Sequence, residues 1–180
     1  MAAATVQAQI ATGAGPTLTN AETGIVYNRV DTQTGTTPIP VPTATGNKYS
    51  WLKYLALVVT VTGTTNISNR KIGWATSPAT GLQGLWFNQA TYTQANTTQG
   101  NAAGNYPADD VAANGTVPSG IAWTGMTTTP ALWDNTSTAT SSAARNGNYV
   151  QTCLQVSNAY VGGAGSAIAL PNISLVYDEA

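Results

Sequence analysis

Few residues in this chain are equipped for chemistry, and their spacing narrows the options further. There is no histidine and a single cysteine, Cys153. Without histidine, a Ser-His-Asp triad and a histidine-ligated zinc site each lack a member. Cys153 alternates with polar and apolar neighbours in Asn148–Ser157 (NYVQTCLQVS), where a thiol behaves as a small buried hydrophobe. A lone cysteine also excludes a disulfide within the chain. Asp109-Asp110 and Asp178-Glu179 are adjacent acidic pairs. Two carboxylates can share a proton or bind calcium. Neighbours on an extended segment point apart, however. Asp109-Asp110 therefore reads as a solvated pair in an Asn/Gly loop, and Asp178-Glu179 as a C-terminal tail. No catalytic residue, cofactor or metal is expected.

Tryptophans are the other chemically useful set: Trp51, Trp74, Trp86, Trp123 and Trp133. Aromatic platforms can hold sugars or bases. Trp51 and Trp74 fall on strand patterns beside apolar runs, so packing is their expected role. Trp123 and Trp133 lie in the loop-rich half and are the expected subunit contacts, with a glycan platform as the rival role. Arg70-Lys71 is an adjacent basic pair. Two cations do not make a nucleic-acid patch, and a solvated strand edge is expected.

Composition bounds the partners. Only 7% of the 180 residues are Asp, Glu, Lys or Arg, and the net charge is −1. Ordinary soluble proteins carry roughly 25%. Nucleic acid and anionic membranes have no electrostatic footprint to meet. Polarity comes instead from Thr, Asn, Ser, Gln and Gly. Such a surface can be covered by a partner without desolvating ions, a step that costs several kcal/mol per ion when pairing is poor. A nearly neutral surface also favours association.

The elements that must position these residues read as strands. Tyr49–Gly63 (YSWLKYLALVVTVTG) is the most apolar run, with consecutive β-branched residues from Val58 to Thr62. Those residues are stiff at χ1 and suit a pleated surface. Leu55, Leu57, Val59 and Val61 share one face, and Tyr54, Ala56, Val58 and Thr60 the other. Both faces are apolar, so the strand should be central and covered on both sides. Lys53 is the one charge inside, with a stem long enough to reach water. Further strands are expected at Glu22–Asp31, Asn66–Ala75 with a bulge at Ser68-Asn69, Leu85–Gln94, Ile121–Thr124, Ala131–Trp133, Asn148–Ser157 and Ala167–Tyr177. Asn146-Gly147 is a hairpin-prone dipeptide. Seven to nine strands without a capped helix make an antiparallel β-sandwich or jelly-roll-like fold.

Residues 1–21 stand apart from residues 22–180, which form a single sandwich domain. Met1–Ala21 holds no charged side chain, and Val6, Ala8 and Ile10 alternate with polar residues. Gly13, Gly15 and Pro16 follow. An extended arm is expected, laying Val6, Ala8 and Ile10 on a neighbouring subunit by strand addition. The N-terminus lacks a basic stretch followed by a long apolar one, so folding in the cytoplasm without export is expected.

The block Tyr49–Tyr54, then NISNRKIGW, NYVQTCLQVS and the C-terminal LVYDE, resembles a diffuse group of tailed-bacteriophage structural proteins. These are small Thr/Ala/Gly/Asn-rich β-sandwiches of the virion, often capsid decoration or cement proteins. The resemblance covers most of residues 20–180 and rests on strand patterns, with no catalytic signature to carry over. It implies a non-enzymatic subunit on the capsid exterior, made in the host cytoplasm. Its partners would be the major capsid protein and copies of itself, a trimer being one arrangement. Nucleic acid, membrane and small-molecule substrates are not implied. A neck, tail or fibre position is the alternative, followed by a pilus or surface-layer subunit and a carbohydrate-binding module.

Overall fold

A computed structural model describes residues 2–21, 24–28, 31, 33, 39, 41–42, 47–92, 94, 123–162 and 172–180. The described chain forms eleven β-strands in two antiparallel sheets. The β-sandwich expected from the alternation is therefore the fold, with more strands than the seven to nine anticipated. The surplus consists of short pieces: β2 (Thr17–Asn20), β3 (Asn47–Tyr49), β7 (Thr124–Gly125) and β9 (Thr138–Ala139).

The large sheet runs β2, β1 (Thr5–Thr12), β4 (Lys53–Val61), β10 (Arg145–Ser157), β6 (Leu82–Gln89), β7, with β3 also paired to β10. The small sheet runs β11 (Ile173–Glu179), β5 (Asn66–Trp74), β8 (Ala131–Asp134), with β9 also on β5. Thr64 and Thr65 bend the chain from β4 in one sheet to β5 in the other.

Strand β4 explains the layering. Leu55 and Leu57 enter the main core with Ile10, Trp86 and Val150 of the same sheet and Ile72, Trp74 and Trp133 of the facing one. Tyr54 and Ala56 enter a second cluster on the opposite face, with Ala11, Leu85, Tyr149 and Cys153. The strand is covered on both sides, as its composition requires. Trp74 is nearly solvent-free and its indole lies against Gly84, so a glycine on β6 makes room for the ring from the facing sheet.

Residues 5–12 differ from the expected arm. β1 pairs antiparallel with β4 of its own chain, with Ile10 opposite Leu55 and Ala8 opposite Leu57. Ile10 is fully buried, and Val6 and Ala8 pack on the same core. The alternation in this segment thus serves an internal sheet. Burial of its apolar row inside the chain, at roughly 25 cal/mol per Å², needs no neighbour.

Three further expectations are corrected. The expected strand Glu22–Asp31 is not a strand over its described residues. Its backbone bonds are scattered instead of laddered: Gly24 N–H donates to Ala21, and Asn28 C=O accepts from Trp51 N–H at 2.9 Å. Asn146-Gly147 is not a turn. It lies within β10 at an irregularity between Asn146 and Val150, where Gly147 takes a φ of 81°. Asp178-Glu179 is not a loose tail, because both residues pair with β5. The bulge expected at Ser68-Asn69 is present. Two residues of β5, Asn69 and Arg70, stand against one of β11, Tyr177, there, and Asn69 adopts a φ of 49°.

Candidate functional site

The charged residues are the place to look, because so few exist and their positions are unusual. Of the Asp, Glu, Lys and Arg side chains described, only Asp178 and Glu179 are exposed. Both are engaged: Asp178 accepts from Asn69 Nδ2 at 2.7 Å, and Glu179 from the Thr65 hydroxyl at 2.5 Å.

Arg70 was expected on a solvated edge but is completely buried. The reason is its strand's place in the sheet, since β5 is flanked by β11 on one side and by β8 and β9 on the other. Arg70 Nη1 lies 3.3 Å from Asp134 Oδ2 and donates to Thr136 C=O at 2.6 Å. Its Nη2 donates to Ile67 C=O at 3.1 Å and to Asn146 Oδ1. Asp134 also accepts backbone N–H bonds from Thr136 at 2.9 Å and Asn148 at 2.8 Å. Burial alone would raise the Asp134 carboxyl pKa, but these donors and the Arg70 charge outweigh it and hold the carboxyl below its ordinary value. Burial pushes the Arg70 guanidinium down, against the favourable charge of Asp134. A Cβ on Gly147 would sit 2.5 Å from both Arg70 Cζ and Asp134 Oδ2. Arg70 is thus a clamp that ties β5, β8 and the β10 irregularity together. Sequence reasoning missed it because only the fold brings residues 70, 134 and 146 together.

Lys53 is the second correction. Its ammonium was expected to reach water, yet the residue is only 1% exposed. Nζ donates to Asn28 Oδ1 at 2.9 Å in a fully buried bond. Burial lowers the Lys53 pKa to about 8, with the Asp31 charge opposing that fall. Asp31 Oδ2 itself accepts from Gly13 N–H at 2.7 Å and Gln94 Nε2 at 3.1 Å.

The tryptophans expected at a subunit contact divide. Trp133 is 4% exposed and belongs to the main core, which removes it from any surface role in this structure. Its inward-facing place on β8 follows from alternation with exposed Leu132, which stands opposite Lys71 of β5. Trp123 is half-buried against the outer cluster, tilted 55° to Phe87 with ring centroids 6.2 Å apart. Trp51 and Trp74 pack as expected. The same outer cluster holds Tyr54 edge-on to Tyr92 at 4.8 Å, and Arg145 stands 4.3 Å over the Tyr149 ring. Cys153 is fully buried and free, with its thiol pushed upward by burial, and so is a core residue as expected.

Asp109-Asp110 lies outside the described residues. Among the described residues no three His, Cys, Asp or Glu side chains stand together as metal ligands. Among the same described residues no helix is long and apolar enough to cross a membrane. What the arrangement offers on its outside is a sheet face. On β5, Lys71 lies opposite Val176 of β11 and Leu132 of β8. Val176 and Leu132 are 39% and 47% exposed. An apolar residue thus flanks the Lys71 stem on each side. The class this defines is an all-β, two-sheet protein in which most of the described charges are engaged within the fold. No protein-family model, curated protein or solved structure matches the chain.

Proposed function

We propose that the chain is a non-enzymatic structural protein of a phage virion, acting as a decoration or cement subunit on the capsid exterior. One observation carries this reading: among the described residues, most of the charges are buried or tied to neighbouring groups, leaving a described surface that is polar and poor in free ions. Lys53, Arg70 and Asp134 are inside, and Asp178 and Glu179 are hydrogen-bonded where they emerge. Covering such a surface removes water from hydroxyls and amides, which a partner's backbone and side chains can satisfy, instead of from ions. The Val176–Lys71–Leu132 row adds apolar area at the contact.

The mechanism is mechanical. Subunits sit over junctions between major capsid proteins and against copies of themselves, and each contact adds buried apolar area worth roughly 25 cal/mol per Å² before ordering costs. Repetition around a closed shell multiplies a modest contact. The test is quantitative mass spectrometry on purified particles from the phage that encodes the chain. A copy number matching the capsomer count supports a head decoration protein. A small number set by neck or tail symmetry moves it to those positions. Particles without the chain would sink the virion reading.

A further inference from the structure

The buried contact between Lys53 and Asn28 brings together two groups that can react. Nζ lies 2.9 Å from Asn28 Oδ1, and the carboxamide carbon is one C=O bond beyond that oxygen. Both residues are nearly sealed from solvent, at 1% and 2% exposure. Both are also held from their backbones. Asn28 C=O accepts from Trp51 N–H, and Lys53 C=O accepts from the Thr152 hydroxyl at 3.2 Å. That hydroxyl is in turn bonded to Tyr27 OH at 2.8 Å, on the residue preceding Asn28. Two groups held in contact by the fold have an entropic advantage over the same groups in solution once Nζ swings from Oδ1 to Cγ. Exclusion of water further protects an intermediate from hydrolysis.

We propose that Lys53 and Asn28 join as an intramolecular isopeptide bond, a covalent staple between the segment before β3 and the start of β4. The step balances without oxidant or reductant. The neutral Lys53 amine forms a bond from Nζ to Asn28 Cγ. The tetrahedral adduct loses one proton from Nζ, the bond from Cγ to Nδ2 breaks, and Nδ2 departs with that proton as ammonia. The product is a secondary amide in a site that no longer holds a buried cation. Burial favours the neutral amine that the attack requires, since the Lys53 pKa falls to about 8. The staple supplies a chain that has no disulfide with a cross-link of its own.

The test is intact-mass measurement and peptide mapping of the purified full-length protein. The expected mass is that of the sequence less one ammonia, with a branched peptide joining Asn28 to Lys53. Recovery of both residues in ordinary linear peptides overturns the proposal. So does ammonia loss with a linear Lys53 peptide, because that pattern marks a cyclised asparagine. Asn28→Asp should lose water in place of ammonia, a readout that structural damage would not imitate. If a variant fails to fold, the wild-type peptide map still decides the bond.

Discussion

At the scale of single residues, the buried charges determine most of what the chain can tolerate. Arg70 and Asp134 share one solvent-free network with Asn146. Removing one partner leaves the other charge buried and unpaired, which typically costs about 3–5 kcal/mol. Arg70→Met should therefore lower the unfolding free energy by that order, read as a lower urea midpoint at an unchanged slope. The pH dependence has a definite sign. Asp134's folded pKa is depressed, so its contribution is present above its unfolded value of about 3.9 and is lost as pH falls through the lower folded value. The wild type should lose stability below about pH 4. Asp134→Asn should be weaker at neutral pH and lose less on acidification. Parallel acid titrations of the two proteins, each followed by chemical denaturation, would check this. A Met at position 70 that unfolds like the wild type would show that the network is incidental.

At the scale of strands, β1 and the Trp74–Gly84 contact decide whether the sheets close. Ile10 is fully buried opposite Leu55. Ile10→Ala should cost about 2–5 kcal/mol by cavity formation. Deleting residues 2–12 should leave the apolar side of β4 uncovered and yield aggregated protein, readable by light scattering. An outer arm would tolerate both changes. Gly84→Ala would drive a Cβ into the Trp74 indole and to within 2.8 Å of Met126 Sδ. Overpacking there should cost about 1–3 kcal/mol in a denaturant titration. These same strands show what could be read from the sequence. β4, β5, β6 and β10 were legible because their β-branched runs and alternations are local signals. The bulge in β5 was legible from Ser68-Asn69. The partner sheet of β1 was not, since its alternation fits any strand edge with an apolar neighbour. Asn146-Gly147 carried a correct local signal, a positive φ, used for a bulge instead of a turn. Burial of Arg70, Lys53 and Trp133 depended on contacts distant in sequence, which period and propensity cannot encode.

At the scale of the whole molecule, the distribution of charge separates two kinds of association. A contact made by ionic pairs weakens as salt screens it, with a Debye length of about 10 Å at 0.1 M and about 3 Å at 1 M. The described face of the small sheet sets Lys71 between Leu132 and Val176, with Asp178 and Glu179 hydrogen-bonded to Asn69 and Thr65 farther along β11. The proposed attachment, if it uses this face, should change little between those salt concentrations. It should be lost when its apolar members become charged. The double variant Leu132→Asp and Val176→Asp places two carboxylates on exposed strand positions, away from the core, where surface changes usually shift stability by no more than about 0.5 kcal/mol. Buried at a contact, the same carboxylates carry a desolvation penalty of several kcal/mol each. Co-sedimentation with particles stripped of the chain should therefore show salt-insensitive binding for the wild type and little binding for the double variant, at equal thermal stability. Binding that collapses in 1 M salt would assign the contact to ions and to another face. Binding that survives both carboxylates would free the small sheet from the interface and leave the edges β2 and β7 as the surfaces still able to pair.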